Sequence, residues 1–562
     1  MHKPRTLLLS LLLVIGITIL CWGAVTAFSS ASSSANGKPP ATAGVATQDR
    51  SQLQENFIGY PGDVVTYHYN VFRQGQNTAE TVLTPSNVNS TGFGKVNFLT
   101  VDGKVDAQPL YVYKLPGMLH VQNTLFVVTE NDSIYAFDAD AGTQAWKVSA
   151  LLAGESPSDD HGCGQISPEI GITDTPVIDR QRGPNGAMYF VAMSKDSSGN
   201  YHQRLHALDL KTGAELFGGP IEIKAKYPGT GDGSQGGFVI FDPAQYAERA
   251  GLLEYGGRIY MGFTSHCDFR PYTGWLLGYD AGTLQQTAVL NVTPNGNEGS
   301  IWMAGSGLAA DQQGYIYFLD ANGLFDLTLD GHGFPVNGDY GNAFMKVAMP
   351  QLTVSDYFNM YNTQQESNDD EDLGSGGAIV LPDLTDNNGQ VHHLAVGAGK
   401  DANIYVVNRD NMGKFNPNND SAIYQEIDGV LPGGVWAKPA YFHNTVYYGS
   451  VGSSLKAFSI SNAKLSTSPV SQSANTFPYP GTTPAVSANG TSNGIVWAVE
   501  NSNPAVLHAY DATNLSHELY NSNQAGSRDQ FGPGNKFITP MVVNGKVFVG
   551  TQTGVAVFGL LR

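Results

Sequence analysis

Two short stretches hold most of the side chains in this sequence that are capable of chemistry. The first, Asp159-Asp160-His161-Gly162-Cys163-Gly164-Gln165-Ile166-Ser167-Pro168-Glu169-Ile170, packs carboxylates, an imidazole and a thiol into one loop whose glycines permit tight turns. His161 and Glu169 suit ligand or acid–base work beside a pocket. The competing reading makes the loop a disulfide-pinned plug in which Glu169 satisfies backbone amides. The second stretch, His266-Cys267-Asp268 with Arg270 and Tyr272, would join the first if Cys163 and Cys267 bridge. Zinc is a poor match, because neither stretch has C-x-x-C or H-x-x-x-H spacing.

Three further places carry polar or aromatic potential. Trp302, in Gly299-Ser300-Ile301-Trp302, is an aromatic platform for a ligand or a core residue. Asn368, Asp370 and Asp372 put oxygen donors at alternate positions, which suits Ca²⁺, although the glycine after them is not placed as in an EF-hand and an acidic surface turn explains them equally. Lys400, Asp401 and Arg409 flank a predicted strand and either hold an anionic group or pair with one another. No G-x-S-x-G elbow or other nucleophile motif is present, so a hydrolase is not supported.

The elements that must position these residues are short strands. Asn123 to Val148 reads as strand, turn, strand, turn, strand, with β-branched and aromatic runs at Leu125–Thr129 and Ser133–Asp138 and a break at Ala141-Gly142-Thr143. Such a unit cannot bury both its faces alone and needs copies of itself. The openings near Gln108-Pro109, Thr175-Pro176, Arg258, Gly307, Ala378, Lys438-Pro439, Thr483-Pro484 and Thr539-Pro540 make eight units. The last stops at Arg562 one strand short, and Phe93 to Val101 reads as the strand it lacks. The expected fold is therefore all-β, an eight-bladed propeller of four-stranded blades closed by an N-terminal strand, with an open solenoid as the alternative. Val64 to Val71, VVTYHYNV, alternates as a strand would.

Composition agrees with many strands and tight turns, with 66 Gly and 27 Tyr among 562 residues. Acids outnumber bases by 49 to 30, a formal charge of −19, which argues against a nucleic-acid or anionic-membrane partner. Residues 1–27, basic and then apolar from Leu7 to Val25, read as a signal peptide ending at Val25-Thr26-Ala27 or as an N-terminal membrane anchor. Residues 28–58 read as a Ser/Ala/Pro/Gly-rich disordered tether, and 59–562 as one propeller domain. The body is thus expected outside the cytoplasm, where Cys163 and Cys267 suit a disulfide, and any membrane contact is confined to the N-terminal segment.

The Ala136-Phe137-Asp138, Gly142-Thr143 and Trp146 pattern resembles the repeat of pyrroloquinoline-quinone (PQQ) propellers, the quinoprotein alcohol dehydrogenase-like fold. More closely, GCGQISPEIGITDTPVID, HCDFRPYTGWLLGYD, DLGSGGAIVLPD and GAGKDANIYVVNRDNMGKF resemble a group of exported bacterial PQQ-like repeat proteins, over residues 66 to 562. For quinoprotein dehydrogenases the resemblance implies a quinone against a Trp, often a disulfide of adjacent cysteines, a Ca²⁺ held by Glu and Asn, a catalytic Asp and an Arg near the quinone. This chain has no adjacent cysteine pair; Glu169, Trp302 and Arg409 are of the right types. It also lacks C-x-x-C-H, so electrons would need an external acceptor. Two functions follow as expectations. One is an exported binding or scaffolding module, using its loop face and central channel for a protein, glycan or small molecule. The alternative is a PQQ- and calcium-dependent dehydrogenase of an alcohol or sugar. A preformed pocket holding Glu, Asn, Asp and Arg around a Trp favours the enzyme; a channel plugged by residues 159–170 favours the scaffold.

Overall fold

The computed structural model of the protein describes residues 59–118 and 121–562, so the signal or anchor at 1–27 and the tether at 28–58 lie outside the described residues. Among the described residues no helix is long and apolar enough to cross a membrane. Eight antiparallel four-stranded sheets follow one another in a ring, as the repeat count predicts. Blade one is the four strands Leu110–Val112, Thr124–Val128, Ser133–Asp138 and Gln144–Ser149. Its two middle strands are buried on both faces because neighbouring blades cover them.

The recurring Asp-x-x-Thr/Gly signature has a local cause. Asp138 ends the third strand, and its Oδ1 accepts from the amides of Asp140 and Ala141, which turns the chain through Gly142 at φ +75°. Asp209 does the same for Lys211 and Thr212, and Asp280 for Gly282 and Thr283. Trp146 then reaches the next blade, donating from Nε1 to the Leu210 carbonyl at 3.2 Å. It lies over Gly213, where an added Cβ would sit 3.1 Å from its ring. Asp shapes the blade and Trp joins it to its neighbour.

Blade eight consists of Met541–Val543, Lys546–Gly550 and Gly554–Leu560, completed by Phe93–Thr100. Phe93 pairs with Leu560 and Thr100 with Gly554 in antiparallel register, so the two ends of the ring share one sheet.

Val64–Val71 is not a strand. The alternation VVTYHYNV is instead part of an irregular segment that runs through the centre of the ring and touches the inner strand of every blade. Val64 exchanges two hydrogen bonds with Tyr111 of blade one, and the Val65 carbonyl accepts from Ile178 of blade two. Arg73 donates to the Leu252 carbonyl at the start of blade three. The carbonyls of Val71, Phe72, Gln74 and Gly75 accept from Ala310, Val380, Tyr441 and Val486 in blades four to seven. Asn77 donates to the Val542 carbonyl of blade eight. Inner strands of a ring have free polar groups pointing at the axis, and a chain that offers one partner to each satisfies them better than a ninth strand would. Gly75 (φ +67°) is needed there, since a Cβ would lie 2.8 Å from the His68 ring.

Burial also sets the pH response. Burial first, and then Asp179 and Asp401 respectively, pushes Glu254 and Glu366 up to about 8. Burial likewise lifts Asp339, Asp401 and Asp420 to about 6, and Asp132 and Asp320 well above 3.8. A carboxyl whose pKa is higher folded than unfolded keeps its proton longer in the native state. Its contribution is therefore complete below about pH 4 and is lost as pH rises through about 6 to 8. Asp102 acts the other way: despite burial, hydrogen bonds from Lys147, Ser133 and Asn131 hold it at about 2, so its contribution is complete above about pH 4 and is lost as pH falls toward 2. The urea midpoint is expected to be higher at pH 5 than at pH 8; an equal or reversed order contradicts this reading of the buried acids.

Candidate ligand-binding pocket at the channel mouth

With the axis filled by residues 64–77, a cavity of about 380 Å³ lies on the face where the inner strands begin. Its aromatic wall comes from segments just ahead of four inner strands. Trp302 precedes blade four, Trp436 blade six, Tyr479 blade seven and Phe537 blade eight. Blades four and eight are opposite in the ring, and Trp302 meets Phe537 edge-on across the axis, with ring centroids 5.9 Å apart. Tyr479 continues the arc, 6.3 Å from Phe537 and 5.7 Å from Trp436, again at steep angles. Phe537 sits at φ +63°, while Met303 and Ala304 behind Trp302 sit at +43° and +49°. Bulky side chains rarely occupy that region, so packing holds Phe537 and the backbone behind Trp302 against local preference.

The polar wall contains most of what the sequence singles out. Cys163 and Cys267 form a disulfide with Cα atoms 5.5 Å apart, and both line the cavity. The bond fastens residues 159–170 to the end of a blade-three strand as a side wall, with Gln165, Ile166 and Ile170 facing the space. The loop therefore does not plug the channel; residues 64–77 do. His266 lines the cavity and stacks on His161 behind it, with centroids 4.0 Å apart. Burial, reinforced by His161, pushes His266 down to about 4, so the pair is neutral at physiological pH. Asp268, Asp370, Asp372 and Lys400 complete that side. Despite burial, Asp372 and Asp370 carry Lys400 up to about 12, while burial outweighs Lys400 and lifts Asp372 to about 6.

Other predicted residues lie elsewhere. Glu169 belongs to the two-residue strand Glu169–Ile170, paired in register with Asp159, and only Ile170 reaches the cavity. Arg270 is an exposed partner of Asp232. Arg409 is buried between blades four and five, 2.7 Å from Asp311, a partner outside the set of Lys400, Asp401 and Arg409. Asn368 is exposed on the short helix Thr363–Asp369, away from Asp372, which separates the three alternating oxygen donors.

Arg249, Trp436, Tyr479 and Phe537 were not legible as site residues. Arg249 sits under Phe537, its guanidinium 5.7 Å from the ring centre, and donates to the Thr173 carbonyl at 2.7 Å. One signal was available: Trp436 and Phe537 both stand three positions before the proline that opens a unit, Pro439 and Pro540. In a propeller that position faces the channel mouth.

No protein-family model matches the chain, and no curated protein does. Solved structures do. The quinohemoprotein alcohol dehydrogenase from Comamonas testosteroni superposes with a TM-score of 0.60 at 13% identity, over 92% of this chain and 82% of that one. A europium-containing methanol dehydrogenase gives 0.58 at 13% identity, over 91% of this chain and 100% of that one. The likeness is one of fold.

The quinone and calcium that the resemblance implies can be tested against these side chains. A planar, oxygen-rich ring suits the volume and the aromatic wall. Calcium does not suit the donors: among the described residues no three His, Cys, Asp or Glu side chains converge to hold a metal. Ca²⁺ takes about six to eight oxygens. The nearest pair, Asp370 and Asp372, faces Lys400 instead.

Proposed function

We propose that this protein is an exported binding module whose channel-mouth cavity takes a small ring-bearing molecule with acceptor oxygens. One observation carries the reading: rings from four blades meet around a cavity that also presents Lys400, Arg249 and three carboxylates. Aromatic faces hold a flat or sugar-like ring, and a few placed charges orient it. Scaffolding through the loop face is the weaker form of this reading, since a flat docking surface has no need of four aromatic residues around a pocket. The disulfide is compatible with an extracytoplasmic location.

A second reading, oxidation of an alcohol or sugar with a bound quinone, draws on the fold shared with alcohol and methanol dehydrogenases and on the disulfide and Trp302 at the cavity wall. The donors here make such a site independent of calcium. The test is a fluorescence titration of the full chain, following Trp302 and Trp436, with PQQ in the presence and absence of Ca²⁺ and with a panel of sugars and aromatic carboxylates. Saturable quenching that disappears in Trp436→Ala supports the binding reading. PQQ binding, with or without Ca²⁺, together with alcohol-driven reduction of an artificial acceptor replaces it with the second. Saturable ligand binding that survives Trp302→Ala and Trp436→Ala together removes the cavity from the function.

A further inference from the structure

The acidic corner of the cavity already holds a cation. Lys400 Nζ donates to Asp370 Oδ1 and lies 2.7 Å from Asp372 Oδ1. Asn322 Nδ2 donates to the same Asp370 oxygen at 2.8 Å. The Asp372 side chain is 1% exposed, and neither of its oxygens accepts a hydrogen bond. Its contact with Lys400 is an ion pair off hydrogen-bond alignment, and that pair alone answers its charge. The backbone fixes the arrangement. The Lys400 amide donates to the Asp372 carbonyl at 2.9 Å, and Gly399 permits the approach, because a Cβ there would lie 2.5 Å from the Asp372 carbonyl oxygen.

We infer that Lys400 is the resident cation of this cavity, standing where a divalent ion would otherwise be recruited, and that its remaining N–H is the hook for an acceptor oxygen of the ligand. An ammonium has three donors; one goes to Asp370, and Asp372 is met only as an ion partner, so donor capacity is left on the side of the cavity that Lys400 lines. Removing it leaves Asp372 buried and uncompensated beside a second carboxylate, a situation relieved only by protonation or by an incoming cation. The hook rests on the binding reading above; the cation does not, and the experiment addresses the cation without any ligand.

Terbium(III) serves as the probe, read by luminescence sensitised through Trp436 and by the thermal midpoint of the full chain. The wild type is expected to show no saturable Tb³⁺ signal and no shift. Lys400→Met is expected to start with a lower midpoint and to bind Tb³⁺ about tenfold or more tightly than wild type, in competition with Ca²⁺, with recovery of the midpoint. Adding Asp372→Asn should abolish that gain. Should Lys400→Met not fold, Lys400→Gln retains neutral donors and carries the same expectations. Wild-type binding of Tb³⁺ that Asp372→Asn removes overturns the inference, as does a folded Lys400 variant that gains no binding.

Discussion

Replacing Arg73 with methionine is expected to destabilise the propeller by on the order of 3–5 kcal/mol, the size of effect expected when several buried acceptors lose their donor together. Arg73 is fully buried on the axis. Its guanidinium donates to the carbonyls of Leu308, Tyr67 and Leu252 at 2.7, 2.7 and 2.8 Å and to Thr66 Oγ1 at 2.5 Å. Methionine fills much of the volume but leaves those acceptors without donors, at about 1–3 kcal/mol for each one that water cannot reach. Burial pushes the Arg73 pKa down to about 9, so the group is still charged at neutral pH and the loss is felt across the physiological range. Arg73→Lys keeps the charge but loses the planar fork, and should fall between the two. Urea unfolding followed by tryptophan fluorescence reads the series. A methionine variant within about 1 kcal/mol of wild type would mean that the ring does not depend on its central segment.

The second large effect comes from the disulfide. Cys163 and Cys267 are 104 residues apart in sequence. Closing a loop of about 100 residues removes denatured-state entropy equivalent to about 4.7 kcal/mol in the chain-entropy model. The double variant Cys163→Ala/Cys267→Ala is expected to lose a large part of that and to release the wall that carries Gln165 and Ile166. A reductant should lower the thermal midpoint of the wild type and leave the double variant unchanged. Equal midpoints for the two oxidised proteins would show that blades one to three hold this loop without the bond.

How much of this was legible in advance depended on the range of the interactions involved. The blade pattern was readable because its causes are local: Asp138 caps its own turn within three residues, and strands such as Thr124–Val128 are short β-branched runs. Ring closure by Phe93–Thr100 was also readable, since a missing strand at one end and a spare strand at the other can be counted. The disulfide was readable because Cys163 and Cys267 are the two cysteines beyond the N-terminal segment. Residues 64–71 misled, because alternation reports two differently buried faces and a segment threaded through a ring of inner strands has those without being a strand. Arg409 misled because a basic residue beside a strand looks the same whether it meets a ligand or Asp311.

The sequence by itself determined the blade, the number of blades and the joining of the chain ends, all of which follow from periodicity and turn chemistry within some tens of residues. Only the tertiary structure decided the pocket. Trp302, Trp436, Tyr479 and Phe537 come from four separate blades and become neighbours when the ring closes and opposite blades face each other across about one side-chain pair. No local pattern encodes a meeting at the axis, because what brings those residues together is the curvature summed over every blade between them.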